Sequence, residues 1–398
     1  MHPTFLTVVL ALITMVGPLG IDTYLPSFPA IGAEFGVPPA VVQQTLSIYI
    51  MGLAVMMLFY GTLSDSFGRR RVMLVSMAFF TLFSACAIFA PSAGALIFIR
   101  GLQGLAAGAG IVISRAMVQD RFSGSDAQRI TSMIMMVFGI APALAPLIGG
   151  WLQAHFGWRA NFVFLTAFTA LLLVAALKGL PETLPVSQRQ PFHLKNILAN
   201  YAKTLRHARF MTMALSIALV FGGLPLYVGS AAAFVMGILH QPETAFGWLF
   251  LPLVGGLVSG SAVAGRLAHS VRMETLIKSG FVVMALAVTG GVVYNLLFTA
   301  SVPWAVVPLG VYTFGVALAT PGMTVRTMET FPEMRGMASS MQGFVQMMLF
   351  AIITGVVAPL IFDSALKIAV AHAVVAFAGI ALWLAVSSRK AVAEVQSA

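Results

Sequence analysis

The sequence predicts an all-α integral membrane protein whose twelve transmembrane helices form two six-helix bundles. Three observations predict it. Only 9% of the 398 residues are charged and 59% are hydrophobic, against roughly a quarter charged in a soluble domain, so polar side chains are too few to cover a water-facing surface. The apolar residues fall into runs of bilayer length, about 20 residues each. The basic residues collect in alternate gaps between those runs. With 37 Gly, 20 Pro and 30 Phe, the composition also suits helices that pack closely in lipid and tolerate kinks.

The runs lie near 4–27, 41–63, 72–91, 95–118, 130–152 and 160–180, then near 211–236, 246–265, 278–298, 302–322, 338–361 and 368–387. The first has no Lys or Arg ahead of it, and the first such residue in the chain is Arg69. It therefore reads as a retained span rather than a cleaved signal peptide. Only Ala90-Pro91-Ser92-Ala93-Gly94 parts spans 3 and 4. A polar linker, 181–209, separates a first bundle, 1–180, from a second, 210–398, which includes a short tail. Within the linker Leu194, Ile197, Leu198, Tyr201 and Leu205 recur at helical spacing. Two readings stay open there: a basic tether, and an amphipathic helix lying on the membrane face.

Placing the N-terminus in the cytoplasm puts 18 of the 22 Lys and Arg residues inside, including Arg389 and Lys390, and only Arg159 and Lys367 outside; Arg100 and Arg115 lie within span 4. The bias of cytoplasmic loops towards positive charge then predicts that both termini are cytoplasmic. It also accounts for the net charge of +10 without nucleic acid, because the charge is spread over short inner loops rather than gathered on one groove. The single cysteine, Cys86, sits in an apolar run, which excludes an intrachain disulfide framework and a cysteine-based metal site. No H-E-x-x-H, G-x-S-x-G or P-loop pattern occurs, so the residues predict neither an enzyme nor an ATP site on this chain.

Between spans 2 and 3 stands Gly61-Thr62-Leu63-Ser64-Asp65-Ser66-Phe67-Gly68-Arg69-Arg70-Arg71. Gly61 and Gly68 are expected to allow close backbone approach and a tight turn, and Asp65, at a helix end among cations, can latch two helices. The matching loop of the second half, Gly265-Arg266-Leu267-Ala268-His269-Ser270-Val271-Arg272, keeps the Gly and Leu but has His269 at the place of Asp65, as in a decayed repeat. Span 4 carries Arg100-Gly101-Leu102-Gln103-Gly104, which sets Arg100 about 9 Å into the membrane at 1.5 Å per residue. A charge there is costly and functional by default; snorkelling to the outer surface is the alternative. In span 5, Gly139, Pro142, Pro146, Gly149 and Gly150 are expected to bend the helix and admit its neighbours closely.

Of the twelve acidic residues, Asp22 alone lies inside a span. Its depth on the outward-running span 1 agrees with that of Arg100 on the inward-running span 4. Burial and a neighbouring cation act in opposite senses on a carboxyl's proton affinity, and together can bring it into a range where it gains and loses a proton. Alternatively span 1 ends early and Asp22 meets outer solvent. Tyr24, Gln44, Tyr49, Gln103, Tyr227, Gln342 and Gln346 are polar residues within spans and candidates for lining a central cavity; each could equally satisfy a neighbouring helix.

The loop G-x-L-x-D-x-x-G-R-R at 61–70 and the pattern R-x-x-Q-G at 100–104 resemble signatures of the major facilitator superfamily. Span 5 resembles the antiporter sequence of that family, with Ala141 where the usual pattern has Gly. The string Asp22-Thr23-Tyr24-Leu25-Pro26, with Gly157-Trp158-Arg159-Ala160-Asn161-Phe162, resembles the Bcr/CflA branch of bacterial drug:proton antiporters, strongly in the first half of the chain and weakly in the second. The resemblance implies a monomer in the bacterial inner membrane. It implies proton-coupled efflux of small amphiphilic molecules or drugs, by alternating access around a midplane cavity and with no cofactor besides the proton. A dedicated exporter of a metabolite or siderophore is the alternative within the same fold. It further implies a proton-coupling role for Asp22 with Arg100 as its charge partner. Gly61, Asp65, Gly68, Arg69 and Arg70 would form a cytoplasmic latch with Arg115 and Asp120 at the inner end of span 4.

Overall fold

A computed structural model describes residues 3–268 and 270–396. His269, opposite Asp65 in the sequence repeat, and the side chains of Arg389 and Lys390 lie outside what it describes. Every regular element among the described residues is helical, as hydrocarbon requires of a chain that must satisfy its backbone polar groups internally.

The chain divides into two compact units. The first is the chain up to His193 together with Pro242–Gly247. It contains α1 (Pro3–Asp22), α2 (Phe28–Phe35), α3 (Pro39–Phe67), α4 (Arg69–Ile88), α5 (Ala93–Ala107), α6 (Ala109–Arg121), α7 (Gly124–Phe156) and α8 (Arg159–Gly179). A 3-10 turn at Leu25–Ser27 carries α1 into α2, so the first apolar stretch runs over Phe5–Phe35, longer than the run at 4–27. It ends at Gly36, whose φ of +62° is the left-handed conformation that glycine adopts without cost. Pro39 then opens α3 with its ring at the first turn, where the missing N–H is not needed. Small residues set the packing: a Cβ at Gly52 would fall 2.7 Å from the Gly101 carbonyl oxygen, so α3 and α5 touch backbone to backbone.

The second unit is Leu194–Gln241 with the chain from Trp248 onward. It contains α9 (Leu194–Arg206), α10 (Ala208–Phe221), α11 (Gly223–Gly229), α12 (Gly247–Leu267), α13 (Met273–Leu297), α14 (Val307–Met328), α15 (Arg335–Ile352), α16 (Ala358–Ile361) and α17 (Ala365–Gln396). Two features depart from regular helix here. α10 and α11 meet at 46° across Gly222, and π-helical turns occupy Ala233–Ile238 and Ile353–Val357. The linker is more than a tether: α9 forms, its Leu194, Leu198 and Leu205 exposed while Tyr201 and Thr204 are buried.

Among the described residues, ten helices are long and apolar enough to cross a membrane, and eleven with the bent α10–α11 pair. The run expected at 302–322 is realised as α14, a 22-residue helix displaced towards the C-terminus. Its Gly, Thr, Tyr and Pro residues dilute its apolar character.

Candidate functional site

Arg100 is 0% exposed inside the first unit. Its guanidinium donates to the Gly20 carbonyl oxygen at 2.6 Å and to Oε1 of Gln103. It lies over the rings of Tyr49 and Tyr24, 4.0 and 4.4 Å from their centroids. Those groups are held in turn. Gln103 donates from Nε2 to Ser84 Oγ at 2.7 Å, Tyr49 donates to the Gly17 carbonyl at 3.0 Å, and Tyr24 shares a 3.0 Å hydrogen bond with Thr45 Oγ1. A planar cation is therefore seated by a carbonyl, an amide and two aromatic faces, a task suited to arginine and not to lysine.

Asp22 closes α1, two residues beyond Gly20, and is 4% exposed. It does not meet outer solvent. Among the described residues it joins no ion pair. The charge-to-charge contact expected with Arg100 is not formed: its two terminal nitrogens donate to neutral partners, and its Nε is buried without a hydrogen bond. Snorkelling of Arg100 is likewise not what is seen; the side chain turns into the bundle.

Around this pair, glycine sets what comes near. A Cβ at Gly20 would strike the Tyr49 hydroxyl, and one at Gly149 would strike the Thr23 carbonyl oxygen and lie 3.1 Å from its Cα. α7 thus presses its backbone onto the residue that follows Asp22. Gly150 makes a similar approach to the Glu243 carbonyl, whereas Gly139 faces open space. α7 runs unbroken through Pro142 and Pro146.

The other cavity candidates scatter. Tyr24, Tyr49 and Gln103 are 0% exposed and bound to neighbouring helices, so in this structure they line no open space. Gln44 is half-buried, with Nε2 donating to the Ala40 carbonyl at 3.3 Å. In the second unit Tyr227 packs edge-on to Phe234 and His372, both at 5.4 Å. Gln342 donates to Thr324 Oγ1 at 3.2 Å while its Oε1 is buried unpartnered, and Gln346 is half-buried. His372, 3% exposed between Tyr227 and Tyr312, has a buried Nε2 with no partner. It is an intramembrane ionisable group that a survey of acidic and Lys/Arg positions passes over.

The loop at 61–71 of the first unit is a clamp built on Arg69, which is 8% exposed. Its guanidinium pairs with Asp65 and, through Nε, with Asp120 at 3.1 Å, and donates to Ser64 Oγ at 2.6 Å. Its backbone N–H donates to Glu182 Oε1 at 3.0 Å. Asp120 also accepts from the Thr183 hydroxyl at 2.8 Å, Glu182 pairs with Arg189 at 3.5 Å, and the N–H of Gln190 donates to the Asp65 carbonyl at 3.2 Å. Arg70 reaches the Leu177 carbonyl at 2.8 Å. Asp65, Arg69 and Asp120 thus come together as expected. Arg115 does not join them; it turns to the sulfur of Met135 at 3.3 Å. Gly68 is required twice over, by its φ of +94° and because a Cβ would run into Glu182 and lie 2.7 Å from Arg189. Gly61, expected to allow close approach, faces nothing within 4 Å.

At the opposite end of this unit, Glu34 accepts from Trp158 Nε1 at 2.6 Å and pairs with Arg159 at 2.7 Å, while Asn161 donates to Ser27 Oγ at 2.9 Å. The Gly-Trp-Arg-Ala-Asn-Phe string therefore ties the start of α8 to α2 and the turn before it. Glu34 was not singled out from the sequence. No local signal marks it, since its partners lie more than a hundred residues away.

Two units of apolar helices long enough to cross a membrane, with ionisable groups buried among them and a charge-latched loop, define a multi-pass membrane protein, and the family match makes it a transporter. A family profile described as Major Facilitator Superfamily matches residues 10–354. The chain belongs to the Major Facilitator Superfamily; it moves small molecules and is not an enzyme. Among its relatives are a bicyclomycin resistance protein homolog of Haemophilus influenzae, 28% identical over 89% of each chain, and multidrug resistance protein D of Escherichia coli, 27% identical over 86% of this chain and 85% of the relative. These names agree with the branch indicated by the residues around Asp22. The human organic anion transporter MFSD10 (TETRAN) superposes with a TM-score of 0.71 at 16% identity, covering 97% of this chain and all of that one, a likeness of fold alone.

Proposed function

We infer that this transporter exports small amphiphilic molecules or drugs in exchange for protons, by alternating access, as a monomer in a bacterial inner membrane with both termini cytoplasmic. The observation that carries the reading is Asp22: a carboxyl 4% exposed, inside a bundle, near a buried arginine whose own contacts are neutral. An acid so placed gains and loses its proton as water reaches it from one side and then the other. Proton entry from outside removes the negative charge and releases cargo outward; proton loss to the cytoplasm restores a site for a neutral or cationic amphiphile. A single carboxylate within the spans suits a proton better than a metal cation, which wants several oxygen ligands. Drug-resistance names among relatives of near-full length support export, and the loading of basic residues on one side supports the orientation.

The test is transport in proteoliposomes under an imposed pH gradient. Asp22→Asn is expected to abolish gradient-driven uptake of a lipophilic cation into inverted vesicles while leaving the protein folded. Persistence of proton-coupled uptake in that variant overturns the assignment. In a pump-deficient host, the parent chain is expected to protect against several unrelated toxic compounds.

A further inference from the structure

The second unit contains a cavity of about 850 Å³ that the transport reading does not use. It opens among the ends of α10, α13, α14 and α17, on the side that carries Arg266, Arg272 and Lys278. Its rim presents three cations, Arg209, Lys278 and Arg326, against two carboxylates, Glu274 and Glu329. Arg326 is spent on Glu274. Among the described residues, no ion pair or hydrogen bond takes the side chain of Arg209 or Lys278.

Below the rim the wall changes character within one turn. Met213 lies four residues deeper than Arg209 on α10, Phe281 three deeper than Lys278 on α13, and with Ile277 and Trp383 they form a floor in which no side chain exceeds 6% exposure. At 1.5 Å per residue the step from cation to apolar floor is about 5–6 Å. A soluble anion has no need of such a floor, and an apolar solute has no need of such a rim. Leu384, which lines the cavity and is 46% exposed, gives it a side towards hydrocarbon. Basic pockets between transmembrane helices at this depth suit lipid headgroups.

The corresponding helix ends of the first unit are occupied by its own side chains. There the ring of Phe5 packs against Gly179 so closely that a Cβ would strike it, and Arg70 is committed to the Leu177 carbonyl. We propose that the cavity of the second unit binds an anionic phospholipid, with its phosphate between Arg209 and Lys278 and its glycerol and upper chains on Met213, Phe281 and Trp383. The inference stands apart from the direction and coupling of transport, because it concerns binding by the resting protein.

The test uses the full chain purified in neutral detergent. Phosphatidylglycerol, phosphatidylcholine or inorganic phosphate is titrated in, and the thermal unfolding midpoint is read as a function of concentration. Phosphatidylglycerol is expected to raise the midpoint saturably, and the other two to leave it in place. The double variant Arg209→Gln/Lys278→Gln is expected to weaken the response about tenfold. The charge-keeping swap Arg209→Lys/Lys278→Arg is expected to retain it, as is Lys195→Gln/Lys203→Gln, which removes two exposed cations from α9 instead. An unchanged response in the Arg209/Lys278 glutamine variant overturns the proposal. So does an equal response to phosphatidylcholine, which would mean that anionic charge is not read, or to inorganic phosphate, which would mean that no lipid is needed. Loss of the response in the α9 variant also overturns it, as diffuse attraction to basic surface. If the glutamine variant does not fold, the swap and the three-ligand comparison on the parent chain decide alone.

Discussion

The loops at 61–71 and 265–272 share one sequence pattern and differ in mechanics. In the first, Arg69 at the start of α4 reaches Asp120 at the end of α6, and Asp65, Ser64 and Glu182 complete its partners. In the second, Glu274 at the start of α13 reaches Arg326 at the end of α14. The bridge between corresponding helix ends is kept with its polarity exchanged. What is lost is multiplicity: four partners on one buried arginine in the first unit, a single pair with a 65% exposed Glu274 side chain in the second. A repeat can thus preserve the position of a contact while surrendering the network around it. Networks resist loss because each member restrains the others.

This contrast can be broken or sharpened by substitution, with stability read from denaturant titration in mixed micelles. Gly68→Ala is expected to have the largest effect, a loss of about 3 kcal/mol, since the new methyl group meets Glu182 and the backbone is held at φ +94°. Its partner Gly265→Ala, where nothing lies within 4 Å, should stay within about 0.5 kcal/mol; equal losses at the two glycines would erase the difference between the loops. Arg69→Gln leaves Asp120 and Asp65 without their cation and should cost about 2 kcal/mol. Arg326→Gln removes one partly exposed pair and should cost under about 1 kcal/mol. Gly61→Ala should be the mildest in the first loop, neutral or stabilising by up to about 1 kcal/mol through helix propensity. A clear loss there would restore the close packing that the glycine pattern led one to expect.

The spans, the loop at 61–71 and the burial of Asp22 were legible because each leaves a local trace: an apolar run, a motif, a lone carboxylate among methyl groups. The rest was not local. Glu182 meets Arg69 across 113 residues and Glu34 meets Trp158 across 124, and no window of sequence holds both partners. The linker stayed open between a tether and an amphipathic helix because its basic side chains and its apolar spacing are both visible in sequence. The bonds that fold 181–193 onto the first unit, from Glu182, Thr183 and Gln190, use residues common in any polar stretch. Gly149 could be marked as a small residue in a motif, but its contact with Thr23 needs the fold. For Arg100 the sequence suggested an acidic partner, whereas the contacts its side chain makes are a carbonyl, an amide and two rings; acid–base pairing is the obvious provision for a buried cation and aromatic faces are not.

That seat has an electrostatic consequence. Arg100 keeps its place through a carbonyl, an amide and two rings, so its position does not depend on whether Asp22 is ionised. With the carboxylate charged, the two formal charges of this bundle are opposite in sign and offset one another. Once a proton neutralises the acid, an uncancelled plus sign stays fixed in a medium that screens it poorly. On the proposed coupling, a lipophilic cation nearby would then be repelled where before it was not, and mutual exclusion of proton and cargo would follow from arithmetic of charge rather than from a moving part.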